Sequence, residues 1–338
     1  MKNSLHDLPA AERLSELLDL AVGYQRAKVL FTFAELGIAD DLQKQPLEAS
    51  EIARLKNIET LAADRFLSAA VSVGLLEKDG EKYKNTDLAE QFLVSGKEFY
   101  LGGQIKRYSE RSYPAWENLP DHLKKWKYGE TADAVPEEDD QGGEAMAEQH
   151  NLSLLHGRYL AQAFDFSGFK KILDLGGGTG AMSIGLCQHY AHLEACVFDL
   201  PENIKVAQEF VNDGQLQNRI ECVGGDFQKD ALPENFDVAL LANFMSVSDE
   251  SANKKVLREI YEKLPVGGVC LLSGLILDDS RLAPQTAVLF CLEDICWNAP
   301  DVERSEHTYA EWLRETGFTD VRSEIYLAST KFICGYKK

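Results

Sequence analysis

The sequence predicts a doubly wound α/β domain preceded by a smaller, mostly helical one. From Lys170 onward, short β-rich runs at 171–175, 195–198, 220–223, 238–242 and 269–273 alternate with segments of helix length. A glycine-rich turn, Gly176-Gly177-Gly178-Thr179-Gly180, joins the first run to a helix expected over 181–190. After a helix at 309–316, the last two runs, 321–327 and 331–336, are separated only by Ala328-Ser329-Thr330. That is too short for a parallel crossover, so the sheet is expected to end in an antiparallel hairpin.

The N-terminal elements follow in order. Apolar residues from Leu14 through Leu17, Leu18, Val22, Val29, Leu30 and Phe33 recur near helical spacing, so one long amphipathic helix is expected over 14–36, stopped by Gly37. Segments 48–56 and 60–73 read as two short helices joined by Asn57-Ile58-Glu59, and 75–84 reads as a hairpin turning at Asp79-Gly80. Helix, turn, helix, hairpin is a winged-helix pattern. Its would-be recognition helix offers only Asp64 and Arg65 as charged groups, and residues 1–100 carry 12 basic against 17 acidic side chains. A dimerising or substrate-closing role therefore fits better than DNA binding.

The whole chain of 338 residues has 35 basic and 55 acidic side chains, a formal charge of −20, which repels phosphate backbones and anionic lipid. A small-molecule substrate is expected, with no nucleic acid and no membrane. The first residues hold no signal-peptide core and no later run is long and apolar enough for a membrane helix, so a cytoplasmic protein is expected. Seven cysteines, never spaced C-x-x-C, suggest buried thiols rather than disulfides or a metal site. Between the two domains a helical connector is expected, with aromatics (Tyr108, Tyr113, Trp116, Trp126, Tyr128), a basic cluster (Lys124, Lys125, Lys127) and the acidic run Glu137–Asp140. Its aromatics would form a pocket wall. The expected domains are thus 1–100, 101–150 and 151–338.

The glycine loop is the strongest motif. Gly176, Gly178 and Ala181 also satisfy the loose dinucleotide spacing G-x-G-x-x-A, so glycines alone do not choose between adenosine cofactors. Three carboxylates do. Asp174, before the first glycine, suits a cofactor bearing an ammonium group and would repel a pyrophosphate. Asp199, ending the second strand, stands where an acidic side chain accepts from ribose hydroxyls. Asp226, in Gly225-Asp226-Phe227, offers an acceptor for an adenine amino group beside a ring that can pack on the base.

With Phe198-Asp199-Leu200-Pro201, Ser248-Asp249-Glu250, Pro265-Val266-Gly267-Gly268 and Glu303-Arg304-Ser305, this constellation resembles the class I S-adenosylmethionine-dependent methyltransferases. Within them the whole chain is similar to the plant-type small-molecule O-methyltransferases and their bacterial relatives, some of which lack the family's histidine and methylate carbon. The resemblance implies a Rossmann-like sheet, a winged-helix dimerisation domain, a homodimer, and S-adenosylmethionine as cofactor. Implied cofactor contacts are Asp174, Gly176, Gly178, Asp199, Leu200, Asp226, Phe227 and Asn243.

One part of the family pattern is missing. The segment after the fourth strand usually reads His-Asp-Trp-x-Asp-Glu, its histidine deprotonating a phenol, whereas the aligned run here is Met245-Ser246-Val247-Ser248-Asp249-Glu250. A methionine accepts no proton. Of the two supporting glutamates, the first falls at Gly274 and the second matches Glu303, the catalytic candidate that remains. Met245, Trp297 and Asn298 are the expected substrate-pocket residues. His150, His156 and His307 carry no spacing signal and read first as structural or surface groups. The expected activity is methyl transfer to a small, aromatic or polycyclic molecule at carbon or an acidic oxygen, through proximity and orientation. Alternatives are a cofactor-binding enzyme of a non-methylating class and a cofactor-sensing winged-helix regulator.

Overall fold

Residues 11–127, 142–246, 248–299 and 305–338 are described by a computed structural model, which divides into two units between Glu110 and Arg111. The first unit runs α1 (Ala11–Ala21), α2 (Gly23–Glu35), α3 (Ile38–Leu42), β1 (Leu47–Glu48), α4 (Ala49–Lys56), α5 (Thr60–Ser72), β2 (Leu76–Asp79), β3 (Lys82–Asn85), α6 (Asp87–Phe92) and α7 (Gly102–Arg107). The single helix expected over 14–36 is two. Val22 leaves the helical region (φ −100°, ψ 8°) and Gly23, a poor helix former, follows it.

The expected pair of short helices and the hairpin are present, and β1 adds a third antiparallel strand in the order β1-β3-β2. Glu48 and Glu51 close a reciprocal capping box at the start of α4, and Asn57 ends that helix in the left-handed region at φ 54°. Phe33, Ile38, Ile52, Leu67 and Tyr83 are fully buried in this unit's own core.

A π-helical turn, Tyr108–Ser112, spans the division, followed by α8 (Tyr113–Glu117), α9 (Leu119–Lys125) and α10 (Gly142–Ala163). Tyr128 and the acidic run 137–140 of the expected connector lie outside the described residues.

The second unit continues with β4 (Lys171–Leu175), α11 (Ala181–His189), β5 (Glu194–Asp199), α12 (Pro201–Asp213), β6 (Ile220–Gly224), β7 (Val238–Ala242), α13 (Glu250–Lys263) and β8 (Val269–Gly274). It ends with α14 (Gln285–Cys296), α15 (Glu306–Thr316), β9 (Thr319–Leu327) and β10 (Thr330–Tyr336). The sheet order is β6-β5-β4-β7-β8-β10-β9; β4 to β8 are parallel, and β10 runs antiparallel to both neighbours. The chain therefore switches direction across the sheet beside β4, where open α/β sheets bind ligands beyond their carboxyl ends.

Strand alternation builds one core on each face. Leu173, Phe198, Leu241, Leu272 and Ile333 pack under α13 and α15, whereas Ile172, Val197, Leu240, Leu271 and Phe332 pack under α10, α11 and α12. The cysteines are all free, and burial pushes the Cys187 and Cys196 thiols up to about 12, which leaves them unreactive. Among the described residues no helix is long and apolar enough to cross a membrane, and no cluster of His, Cys, Asp and Glu could hold a metal.

Candidate cofactor and active site

The carboxyl ends of β4, β5 and β6, with the turn after β7, surround a cavity of about 440 Å³. Gly176, Asp199, Leu200, Asp226, Phe227 and Asn243, six of the eight residues expected from sequence to hold a cofactor, line it. The volume is in the range of small-molecule sites. Phe198, Asn203, Gln228 and Phe244 line it too and were not foreseen. Phe244 had a signal: it follows directly on Asn243. Its ring meets Phe227 edge to face, with centroids 4.7 Å apart.

The loop over this cavity is built for close approach. Gly176 takes φ +67°, and a Cβ there would stand 2.6 Å from the Phe244 ring, so only glycine fits. The Gly178 N–H donates to Asp199 Oδ2 at 2.8 Å, while Asp199 Oδ1 accepts from the Leu200 N–H and the Asn203 amide, both at 2.7 Å. One carboxylate thus ties the end of β5 to the glycine loop and to α12. Asp226 is engaged differently. Its Oδ2 lies 2.6 Å from the Lys229 ammonium, which holds the carboxyl below the ordinary carboxylate range.

Asp174 and Gly178 do not line the cavity. Asp174 lies beneath the loop, almost wholly buried, and accepts from Ser183 Oγ at 2.7 Å through Oδ2. Its Oδ1 has no hydrogen-bond partner among the described residues. Burial pushes this carboxyl up to about 6. A buried carboxylate oxygen left open beside a glycine cradle, with Asp199 nearby, fits a cofactor that carries an ammonium group and a ribose.

The expected substrate residues are spread out. Met245 is 5% exposed and packs in the core under α13 and α15, bordering a small cavity of about 20 Å³ shared with Asn243, Gly274 and Tyr309. The turn that carries it is fixed by Asn253, whose amide donates to the Met245 carbonyl at 2.7 Å. Trp297 follows α14 directly, its indole N–H 3.5 Å from Glu293, and Asn298 follows in the left-handed region at φ 53°. Neither borders the larger cavity. Glu303, the catalytic candidate, lies outside the described residues. Of the three histidines, His150 sits against the glycine loop, His156 meets Tyr326 edge to face with centroids 6.2 Å apart, and the His307 N–H donates to Asp279 near the start of α15.

Comparison with known proteins identifies the family. A family model described as an O-methyltransferase domain matches residues 122–319, and one described as an O-methyltransferase dimerisation domain matches residues 18–95. The chain is 31% identical over 316 residues to the 3-hydroxy-5-methyl-1-naphthoate 3-O-methyltransferase of Streptomyces sahachiroi, covering 91% of this chain and 90% of the relative. It is 33% identical over 279 residues to the N,N-dimethyltransferase OxyT of Streptomyces rimosus, covering 80% of each. Among solved structures it is similar to human N-acetylserotonin methyltransferase in complex with S-adenosylmethionine. That match has a TM-score of 0.85 at 27% identity and covers 100% of this chain and 99% of the other.

Proposed function

Because this chain belongs to the S-adenosylmethionine-dependent O-methyltransferase family, we propose that it methylates an acidic oxygen of a small aromatic or polycyclic molecule without a histidine base. The observation that carries the cofactor part of this reading is the cavity at the carboxyl edge of β4 to β6, with the open Oδ1 of Asp174 beneath its loop. In this reading Asp174 faces the cofactor's ammonium group. Gly176 and Gly178 give the backbone its close approach, Asp199 and Leu200 take the ribose, and Asp226, Phe227 and Asn243 surround the adenine. When bound, the cofactor supplies a methyl group on a positively charged sulfur.

The chain's residues then bind, orient and exclude water. Met245 cannot take a proton, so the acceptor oxygen arrives ionised or gives its proton to solvent. A general base is worth ~10²–10⁴-fold, while orientation supplies up to ~7–11 kcal/mol, so its loss slows the reaction without abolishing it. Met245, Trp297 and Asn298 are the proposed acceptor-side residues, and Glu303, outside the described residues, is the proposed catalytic one. The polycyclic acceptor class is supported by the naphthoate named for the Streptomyces sahachiroi relative. Two copies pair through the N-terminal dimerisation domain.

A second reading, methylation of an electron-rich carbon, is favoured by Met245 itself, since such a carbon needs no deprotonation before attack. The test is calorimetric titration with S-adenosylmethionine and S-adenosylhomocysteine, then incubation of hydroxylated polycyclic aromatics with methyl-labelled cofactor. Micromolar binding and one added methyl group support the reading, and the carbon-13 shift of the label distinguishes oxygen from carbon. Binding without any gain of mass would turn the assignment to a non-methylating reaction.

A further inference from the structure

The glycine loop has one side chain. Of Gly176-Gly177-Gly178-Thr179-Gly180, only Thr179 offers a group by which the rest of the protein can grip the loop from the side. Its neighbours Gly178 and Gly180 both sit in the left-handed region, at φ +56° and +71°, where glycine alone is at ease and the backbone has little stiffness of its own. Thr179 is buried, and its Oγ1 lies 2.9 Å from Nδ1 of His150, on α10. His150 is 7% exposed, and its ring stacks on Phe210 of α12 with centroids 3.7 Å apart and planes 12° from parallel. The imidazole is thus wedged between α12 and the loop, with one nitrogen aimed at the loop's one hydroxyl.

We propose that His150 is a positioning residue: through the Thr179 hydroxyl it fixes the glycine loop in the conformation that receives the cofactor. This rests on the reading of that loop as the cofactor cradle. Burial holds the imidazole at about 4, so the ring stays neutral near pH 7. A neutral ring can accept from the hydroxyl or donate to it, and either arrangement holds the loop. His150 touches no substrate atom in this account. Its effect is to keep Gly178, whose N–H is tied to Asp199, from drifting when Asp199 turns to a ribose.

The test is calorimetric titration of the full chain with S-adenosylhomocysteine, alongside the melting temperature of each ligand-free variant. Thr179→Val removes the hydroxyl at nearly constant volume and is expected to raise Kd about five- to tenfold, the worth of one net hydrogen bond. Thr179→Ser, which keeps the hydroxyl, is expected to stay within about twofold of the parent. His150→Ala is expected to weaken binding, and His150→Ala with Thr179→Val to be no weaker than His150→Ala alone, since both break the same contact. Parent-like affinity in Thr179→Val, equal losses in the Val and Ser variants, or losses that multiply in the double variant would overturn the role of His150. If His150→Ala does not fold, the Val and Ser pair decides. Failure of the parent chain itself to bind is a different result, which removes the cofactor reading and the proposal together.

Discussion

Asp174 and Asp199 are both carboxylates beside one loop, yet their surroundings set different expectations. Asp174 is raised from 3.8 to about 6 by burial, so folding favours its protonated form, and raising the pH between those values works against the folded state. A cofactor ammonium at the open Oδ1 reverses that sign by favouring the charged form. Binding of S-adenosylhomocysteine should therefore strengthen as pH rises through about 6, with affinity at pH 5 about tenfold below its plateau. Calorimetry at pH 5, 6 and 7 checks this, and a flat profile would take Asp174 out of contact with the cofactor. Asp199→Ala should weaken binding by ~1–3 kcal/mol, as for a charged hydrogen bond lost in a partly buried site. Because Asp199 also holds the Gly178 N–H, Asp199→Asn, which keeps an acceptor, should recover part of that loss. The place of Asp199 on the cavity wall was legible because strand-end acids have a positional meaning. The open oxygen of Asp174 was not, since it depends on which cations the fold leaves out of reach, and the His150–Thr179 contact joins residues with no spacing rule between them.

At the scale of elements, strands with period-two burial and turns with their own chemistry were readable to within a residue or two: the five parallel strands, the hairpin at Gly80 and the closing β9–β10 pair all lie where composition put them. The break between α1 and α2 was not, because Leu17, Leu18, Val22 and Leu30 keep helical spacing across it, and periodicity does not register one residue leaving the helix. Nor was the contact between α10 and α11, which is made by absence of side chains. A Cβ on Gly157 would fall 2.6 Å from the Met182 carbonyl oxygen, and one on Gly185 would fall 2.9 Å from the Arg158 nitrogen. Two backbones therefore touch, and the same helix carries His150 to the loop. Gly157→Ala should push α10 outward and cost ~1–3 kcal/mol of stability despite the gain in helix propensity. A lowered melting temperature together with weaker S-adenosylhomocysteine binding is the expected pair of results; an unchanged melting temperature would mean that the helices separate without strain.

At the scale of the molecule, charge and apolar surface pull in opposite directions. Each chain carries a formal charge of −20, so two copies repel. Yet α1 leaves Leu17 and Leu20 at 63% and 79% exposure, and the same unit holds a groove of about 1130 Å³ lined by Val22, Val29, Leu30, Val73, Phe92 and Ile105. A leucine row and an apolar groove on one unit suit an isologous pair, in which each copy offers both to its partner. If apolar burial holds that pair against repulsion, salt should tighten it: going from ~0.01 M to ~0.15 M shortens the screening length from ~30 to ~8 Å and leaves the apolar contact in place. Sedimentation equilibrium should show a dimer whose dissociation constant falls as salt rises, and Leu17→Glu with Leu20→Glu should yield monomers. Dissociation on adding salt would instead mean that ion pairs hold the interface, and a double variant that stays dimeric would place the contact elsewhere.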